Sequence, residues 1–251
     1  MESLYDKTTP KALKVALQTF EGQSDNASTG TRDQLDSAFD TVMERIKGQK
    51  LDGSAEIAER CLSWIVCAKR PLTAREVQIA LAVEFDESEF DEENITSLEE
   101  IVSACNGLVM HDKESDILRL VHYTLQDFLE RKKVRWLPNA DIELLKTCLK
   151  YMSYNNVRRC LEEFIGIAPR SAPEKAHELV GYAVHYWGFH IPSGNSFDNA
   201  KHIIFNFAAD QDVFELVCDA LIGITYEARA LDWDLVSKVE VDWILIGDLL
   251  M

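Results

Sequence analysis

Two histidines, His185 and His190, flank Trp187 and are the side chains that most invite a metal-site interpretation. Zinc takes His, Cys and carboxylate ligands whose spacing lets them close on one ion. Residues five positions apart on a helix diverge by about 140°. The two imidazoles therefore do not converge on one metal, and we expect a pair of capping or surface histidines.

The cysteines offer no metal or nucleophile motif either. No Cys-x-x-Cys pair occurs, and most of the thiols lie in apolar helical patterns. Such positions favour buried free thiols in a reducing compartment, which is the cytosol or the nucleus, and we predict a cytoplasmic location. The six positions are Cys61, Cys67, Cys105, Cys148, Cys160 and Cys218.

An acidic run between Glu84 and Glu100 has nine carboxylates and no basic residue. Calcium loops also space carboxylates along the chain, but they need a Gly to turn the loop and a closing bidentate Glu. This run has no Gly. We expect a solvated acidic loop and no metal site.

Motifs of known catalytic chemistry are missing from the sequence. It has no Gly-x-x-x-x-Gly-Lys-Ser/Thr loop for phosphates, no Gly-x-Ser-x-Gly and no His-Glu-x-x-His. We therefore predict a protein that is not an enzyme and that has no catalytic residues, cofactor or metal. Its 43 acidic against 26 basic residues give a net charge of -17, which repels nucleic acid and anionic lipid. The apolar runs are too short to cross a bilayer.

The sequence signals for helices and strands are clearest between positions 55 and 130. Two Thr/Ser-x-x-Glu patterns, Thr73 with Glu76 and Ser97 with Glu100, each predict a helix start. Asn106-Gly107 predicts a helix end. Two β-leaning runs follow, residues 108–110 and 117–121, separated by a polar turn over 111–116. The order helix, helix, short helix, hairpin, helix is typical of a winged-helix domain.

Three sections therefore make up the predicted chain, whose fold class is mainly α, with a small β-hairpin and a following α-helical bundle. Residues 1–50 hold N-terminal helices and a flexible linker, residues 51–135 the winged-helix domain, and residues 136–251 the helical domain. The predicted helices and the linker are as follows: helices 11–20, 32–47 and 55–69, a mobile linker over 21–31, and C-terminal helices 142–151, 157–165, 174–189, 197–208 and 213–221. The apolar spacing over 236–250 suits a helix, although its alternation also suits a strand.

Five blocks of sequence together resemble the region that follows the NTPase domain in fungal NACHT-type STAND proteins, which are NLR-like and often carry ankyrin repeats. The winged-helix part resembles the GPI inositol-deacylase-type domain. The similar blocks fall in the family's order, at residues 35–46, 62–82, 105–129, 148–153 and 182–190. The family's NTPase domain and repeats have no counterpart in this sequence, so we expect a truncated gene product or a free-standing piece.

The resemblance implies a role for His122. In related NTPases, a His at the end of the wing senses the nucleotide phosphates, and His122 stands in that place, followed by Tyr123 where those relatives have Asp. The role would be exercised toward an NTPase partner. The alternative is a histidine that packs or hydrogen-bonds within its own domain.

Two functions remain open besides an enzyme with an unrecognised site. The first is a non-catalytic regulatory and protein-interaction module of a STAND (NACHT) NTPase-type signalling protein, whose partner is a NACHT-type NTPase domain or a repeat domain. The second is a winged-helix DNA-binding protein. A recognition helix should be basic, whereas residues 97–105 hold Glu99 and Glu100 and no Lys or Arg. We therefore expect neither a nucleic acid nor a membrane as partner.

Overall fold

The computed structural model describes residues 29–49, 53–164, 178–192 and 197–228, and these form two compact units. The first comprises the described residues up to Leu81 together with Ile95–Ala140, and the second comprises Ala82–Asn94 with the described residues from Asp141 onward. The predictions for 11–20 and 236–250, and for the linker before Thr29, lie outside the described residues. Among the described helices, none is both long and apolar enough to cross a membrane.

The first unit has the predicted succession of helices around one antiparallel hairpin. Its elements are α1 (Thr29–Lys47), α2 (Ser54–Cys67), α3 (Ala74–Ala82), α4 (Leu98–Ala104), β1 (Val109–Asp112), β2 (Ile117–Leu120), α5 (Tyr123–Arg131) and α6 (Lys133–Trp136). This compact unit includes α1 and lacks residues 82–94 of the predicted 51–135 segment, which belong to the second unit. Helix α1 starts at Thr29, so the last residues of the predicted linker are helical, and α2 ends at Cys67 rather than residue 69.

Both predicted capping boxes are present. Thr73 Oγ1 accepts from the Glu76 backbone N–H at 3.1 Å, and Glu76 Oε2 accepts from the Thr73 N–H at 2.9 Å. Ser97 and Glu100 form the same reciprocal pair at the start of α4. Each box satisfies N–H groups that a helix start leaves without an intrahelical acceptor. Asn106 and Gly107 follow α4 with φ of 48° and 80°, the left-handed geometry predicted for its end.

The hairpin pairs Val109 with Leu120 and Asp112 with Ile117. The turn is therefore shorter than predicted, because His111 and Asp112 belong to β1. A third segment joins β2 on its other edge: the Leu118 N–H donates to the Leu72 carbonyl, and the Ala74 N–H donates to that of Asp116. This short pairing ties the turn before α3 to the wing.

Helix α1 buries an apolar stripe. Phe39, Met43 and Ile46 are almost fully buried, and the ring of Phe39 lies 5.2 Å from that of Phe128 on α5. Spaced four residues apart on α1, Asp36, Asp40 and Glu44 pair with Arg131, Lys132 and Arg135 of the α5–α6 region.

The second unit is helical, as predicted. The 197–208 helix has the predicted bounds, the helices predicted at 142, 157 and 213 each begin two residues earlier, and the last one extends to Ala228. The unit contains α7 (Ala140–Met152, from its second residue), α8 (Asn155–Phe164), α9 (Glu178–Tyr186), a 3₁₀ turn (Trp187–His190), α10 (Phe197–Ala208) and α11 (Gln211–Ala228). The predicted helix 174–189 therefore changes to 3₁₀ geometry at Trp187.

The acidic segment between α3 and α4 is anchored within the second unit. Phe90 is buried, and its backbone N–H and carbonyl both bond the Asn156 side-chain amide, at 3.0 and 2.8 Å. The Tyr154 hydroxyl accepts from the Glu84 N–H and donates to the Glu84 carbonyl. The carboxylates from Glu84 to Glu89 are exposed, so the loop is solvated as predicted, while its backbone is held by the helices.

The prediction for the histidine pair is wrong for His190. This residue is fully buried, with Nε2 2.8 Å from the Tyr182 hydroxyl. His185 is half-buried, and its Nδ1 contacts the Gly181 carbonyl one turn earlier. The change from α to 3₁₀ geometry at Trp187 turns His190 inward, which the α-helical spacing did not indicate.

Candidate functional site

A groove of about 640 Å³ lies in the first unit beside His122. Its walls are the end of α2 and the following turn, the strand β2, and the first turn of α5. The Leu118 N–H donates to the Leu72 carbonyl, and this bond holds the turn after α2 against β2. Here we call this cavity the wing groove.

His122 lies at the junction of β2 and α5, where the sequence predicted it. Its extended backbone caps α5, and its Nδ1 accepts from the Thr124 N–H at 3.2 Å and lies 2.7 Å from the Thr124 hydroxyl. The ring also lies close to that of Tyr123, with centroids 4.5 Å apart and the planes tilted by 33°. These contacts give His122 a structural role as a cap, and the phosphate-sensing role stays a prediction.

The basic residues of the groove differ in the exposure of their side chains and in the acidic residues that they contact. Arg70 makes two hydrogen bonds to the buried carboxylate of Glu76, at 2.8 and 2.5 Å, so its charge is compensated inside the domain. Arg119 is 56% exposed and reaches Asp112 only at 3.5 Å. Lys69 is exposed as well.

Among the described residues that line the wing groove, Asp112 is the single carboxylate. The backbone N–H of Glu114, followed by the charge of Arg119, holds the pKa of Asp112 below its ordinary value. It is therefore ionised at neutral pH and partly neutralises Arg119. With Lys69, Arg70 and Arg119 on the same wall, the lining still has more positive than negative side chains.

Apolar side chains form the rest of the wall. Ile65 and Val66 at the end of α2 are half-buried, as is Leu120 on β2. Tyr123 is 71% exposed at the mouth of the groove. A partly solvated apolar wall with a few polar groups is the usual make-up of a binding cleft.

The sequence singled out His122 in this groove and missed the other residues. The signal that could have found them is the basic pair Lys69-Arg70 together with Arg119, because cations are scarce in a chain of net charge -17. Their convergence depends on pairing between segments about 45 residues apart, which local patterns do not report.

The third helix of the domain, α4, has the acidic character that the sequence predicted. Glu99 and Glu100 are both exposed, and Leu98–Ala104 contains no Lys or Arg. In helix-turn-helix proteins, the corresponding helix enters the DNA major groove and sits close to phosphates. Two exposed carboxylates at its start oppose that approach.

The thiols are placed largely as predicted. Cys61, Cys67, Cys105 and Cys148 are buried, whereas Cys160 and Cys218 are half-exposed, and all six are free. Hydrogen bonding to the Cys105 thiol, with burial, raises the pKa of Cys61. Burial alone raises that of Cys148. No three His, Cys, Asp or Glu side chains converge as metal ligands would within the part of the chain that the structure describes.

Three helices, a two-stranded wing and a helix that returns along them define a winged-helix domain. The comparison with protein families agrees: residues 40–136 match the family model described as "GPI inositol-deacylase, winged helix domain". This segment is therefore a winged-helix domain, within a mainly α-helical chain. No curated protein and no solved structure shows significant similarity to the chain.

Proposed function

We propose that this chain is a non-catalytic regulatory module that binds another protein through its winged-helix domain. The observation that carries the proposal is the charge of α4, which has exposed Glu99 and Glu100 where a DNA-reading helix needs cations. In a chain of net charge -17, a protein surface is the more favourable partner. The buried free thiols favour the cytoplasm as its location.

The partner that we propose is an NTPase domain of the NACHT type in a STAND signalling protein, or the repeat domain attached to one. Two facts support this choice. The winged-helix match covers residues 40–136, and further blocks up to residue 190 resemble the helical region behind the NTPase domain of those proteins. The module would then act on a nucleotide switch that another polypeptide carries.

Direct binding tests the proposal. The purified chain should bind a NACHT NTPase domain encoded in the same genome, as measured by isothermal titration calorimetry. It should neither hydrolyse ATP or GTP nor shift duplex DNA at low salt. Tight DNA binding would overturn the proposal in favour of the DNA-binding alternative, and nucleotide hydrolysis by the chain itself would overturn its non-catalytic character.

His122 offers a sharper test of the STAND context. In a complex with the NTPase, His122→Ala should weaken ADP binding if the imidazole contacts the phosphates. The control is Thr124→Ala, which removes the hydroxyl that faces His122 Nδ1 and leaves the imidazole in place. Unchanged ADP affinity in the His122 variant would leave this residue with its capping role only.

A further inference from the structure

The wing groove differs in charge from the rest of the molecule. The chain carries 43 acidic residues, yet within the described part of the chain Asp112 is the only acidic residue that lines the groove, against Lys69, Arg70 and Arg119. The carboxylate of Glu76 neutralises the charge of Arg70 inside the domain. The cations of the lining whose side chains are exposed to a ligand are Lys69 and Arg119, the second of them partly neutralised by Asp112. Such a local reversal of sign selects an anionic ligand and steers its approach.

The backbone of β2 adds a second feature. Alternate residues of a strand present their N–H and C=O groups to the same edge, so Leu118 and Leu120 share the edge that faces away from β1. On this edge the Asp116 carbonyl accepts from the Ala74 N–H and the Leu118 N–H donates to the Leu72 carbonyl, and no described backbone segment pairs with the edge from the Leu118 carbonyl onward. The Leu118 carbonyl and the Leu120 N–H therefore lie on an open edge at the groove, since Leu72, Leu118 and Leu120 all line it.

The apolar wall adds a third feature. Ile65 and Val66 face the groove from α2, and Tyr123 exposes most of its ring at the mouth. A ligand that covers these side chains gains from burial of apolar surface, at about 25 cal/mol per Å². A nucleotide or a free phosphate uses the cations but leaves the open edge and the wall unused.

We propose that the wing groove binds an extended acidic segment of a partner protein, which adds to the open edge of β2, places carboxylates at Lys69 and Arg119, and buries an apolar side chain against Ile65 and Tyr123. Strand addition to an exposed edge is an established mode of peptide recognition, in which the main chain gives affinity and alternate side chains give specificity. The inference rests on the proposed function in that the ligand is a protein.

A labelled peptide tests the geometry. The probe is a short fluorescent peptide in which Glu and Asp alternate with Val and Phe, followed by fluorescence anisotropy with the full chain. Arg119→Glu and Lys69→Glu should each weaken binding by about tenfold. The matched control is Lys113→Glu, because Lys113 is an exposed cation of the wing turn that does not line the groove. It should leave the affinity unchanged.

Two altered probes separate the contributions. A peptide with Lys in place of each acid should not bind, and one with N-methylated backbone amides should bind weakly, because it cannot donate to the strand edge. Equal binding of the N-methylated peptide would overturn the strand-addition geometry. Equal loss with the Lys113 variant would show a general charge effect and would overturn the site.

Two further measurements on the same variants test whether a different ligand occupies the wing groove. If the groove variants abolish binding of ADP or duplex DNA and the peptide does not bind, the peptide proposal is wrong. If they abolish self-association in analytical ultracentrifugation, a second copy of the chain is the occupant and the proposal is likewise overturned. Circular dichroism should show unchanged melting for all three charge variants, because each residue is exposed.

The same variants distinguish this proposal from the proposed function. If the chain binds the NACHT NTPase domain equally well with and without Arg119→Glu, the groove is not the docking site, although the module function stands. If the chain binds the peptide in the expected way but no NTPase domain, the groove proposal stands and the NACHT partner is wrong.

Discussion

Arg131 holds Asp36 through two parallel hydrogen bonds, Nη1 to Oδ2 at 3.0 Å and Nη2 to Oδ1 at 2.9 Å, between residues 95 positions apart. The pair fixes α1 to α5, next to the contact between Phe39 and Phe128. Bidentate guanidinium-carboxylate pairs have a defined geometry as well as a favourable energy. They align the two helices, whereas the buried rings supply most of the stabilisation.

The first prediction concerns the pH dependence of this pair. The hydrogen bonds from Arg131 lower the pKa of Asp36 below its ordinary value of 3.8. The folded state therefore binds a proton at Asp36 less readily than the unfolded state does. Its contribution to stability is present above pH 4 or so and is lost as the pH falls through the lowered pKa. Asp36→Asn should lower the free energy of unfolding by about 1 kcal/mol at neutral pH.

Urea unfolding followed by fluorescence measures this difference between the variant and the unaltered chain. The difference should shrink toward zero at a pH well below the ordinary value. Glu44→Gln is the control, since Glu44 is 65% exposed and lies 3.4 Å from Arg135, and it should have almost no effect. A loss in Asp36→Asn that persisted undiminished in acid would show a packing effect rather than an ionic one.

The second prediction compares the two capping boxes, which look alike in sequence. Glu76 is buried and also accepts two hydrogen bonds from Arg70, whereas Glu100 is exposed. Glu76→Ala leaves Arg70 without its buried counter-charge, and we expect a loss of about 3 kcal/mol. Ser97→Ala removes one cap and should cost about 1 kcal/mol. Equal losses, measured by urea unfolding, would show that the partnership with Arg70 adds nothing.

Those two boxes also show how far the sequence alone could lead. A Thr or Ser three residues before a Glu defines a local contact, so both helix starts were predictable from the residue pattern. The burial of Glu76 was not predictable from that pattern, because it depends on Arg70 and on the pairing of Leu72 with Leu118. His122 was singled out by the family resemblance, whereas the groove around it depends on the same long-range pairing and was not predicted.

The acidic segment shows a second limit of local patterns. Its composition predicted a solvated loop, and its carboxylates are indeed exposed. Its backbone contacts include those with Tyr154 and Asn156, which are 70 and 66 residues away from their partners. The helical and strand periodicities of a sequence cannot predict such a contact, because both describe neighbours within one element.

The third prediction tests the anchor of that segment. The Tyr154 hydroxyl bonds both backbone groups of Glu84, so Tyr154→Phe leaves them without this partner while the ring keeps its place. We expect a loss of about 1–2 kcal/mol in the free energy of unfolding. Hydrogen exchange should quicken at the Glu84 amide. The Phe90 amide, which donates to Asn156, serves as the internal reference and should exchange at an unchanged rate.

The fourth prediction concerns the order in which the thiols react. A thiol must be both accessible and ionised to attack a disulfide reagent. Cys160 and Cys218 are the half-exposed thiols, but burial raises the pKa of Cys218 to about 12, with smaller effects of Asp219 and Glu215. Cys218 thus has very little thiolate near pH 8, and Cys160 should give the fast phase with Ellman's reagent in the native chain. Cys160→Ser should remove that phase, whereas Cys218→Ser should leave it intact. The four buried thiols should react only in denaturant.

A fast phase that survives in Cys160→Ser and disappears in Cys218→Ser would reverse the assignment. It would mean that the exposure of Cys218 outweighs its raised pKa.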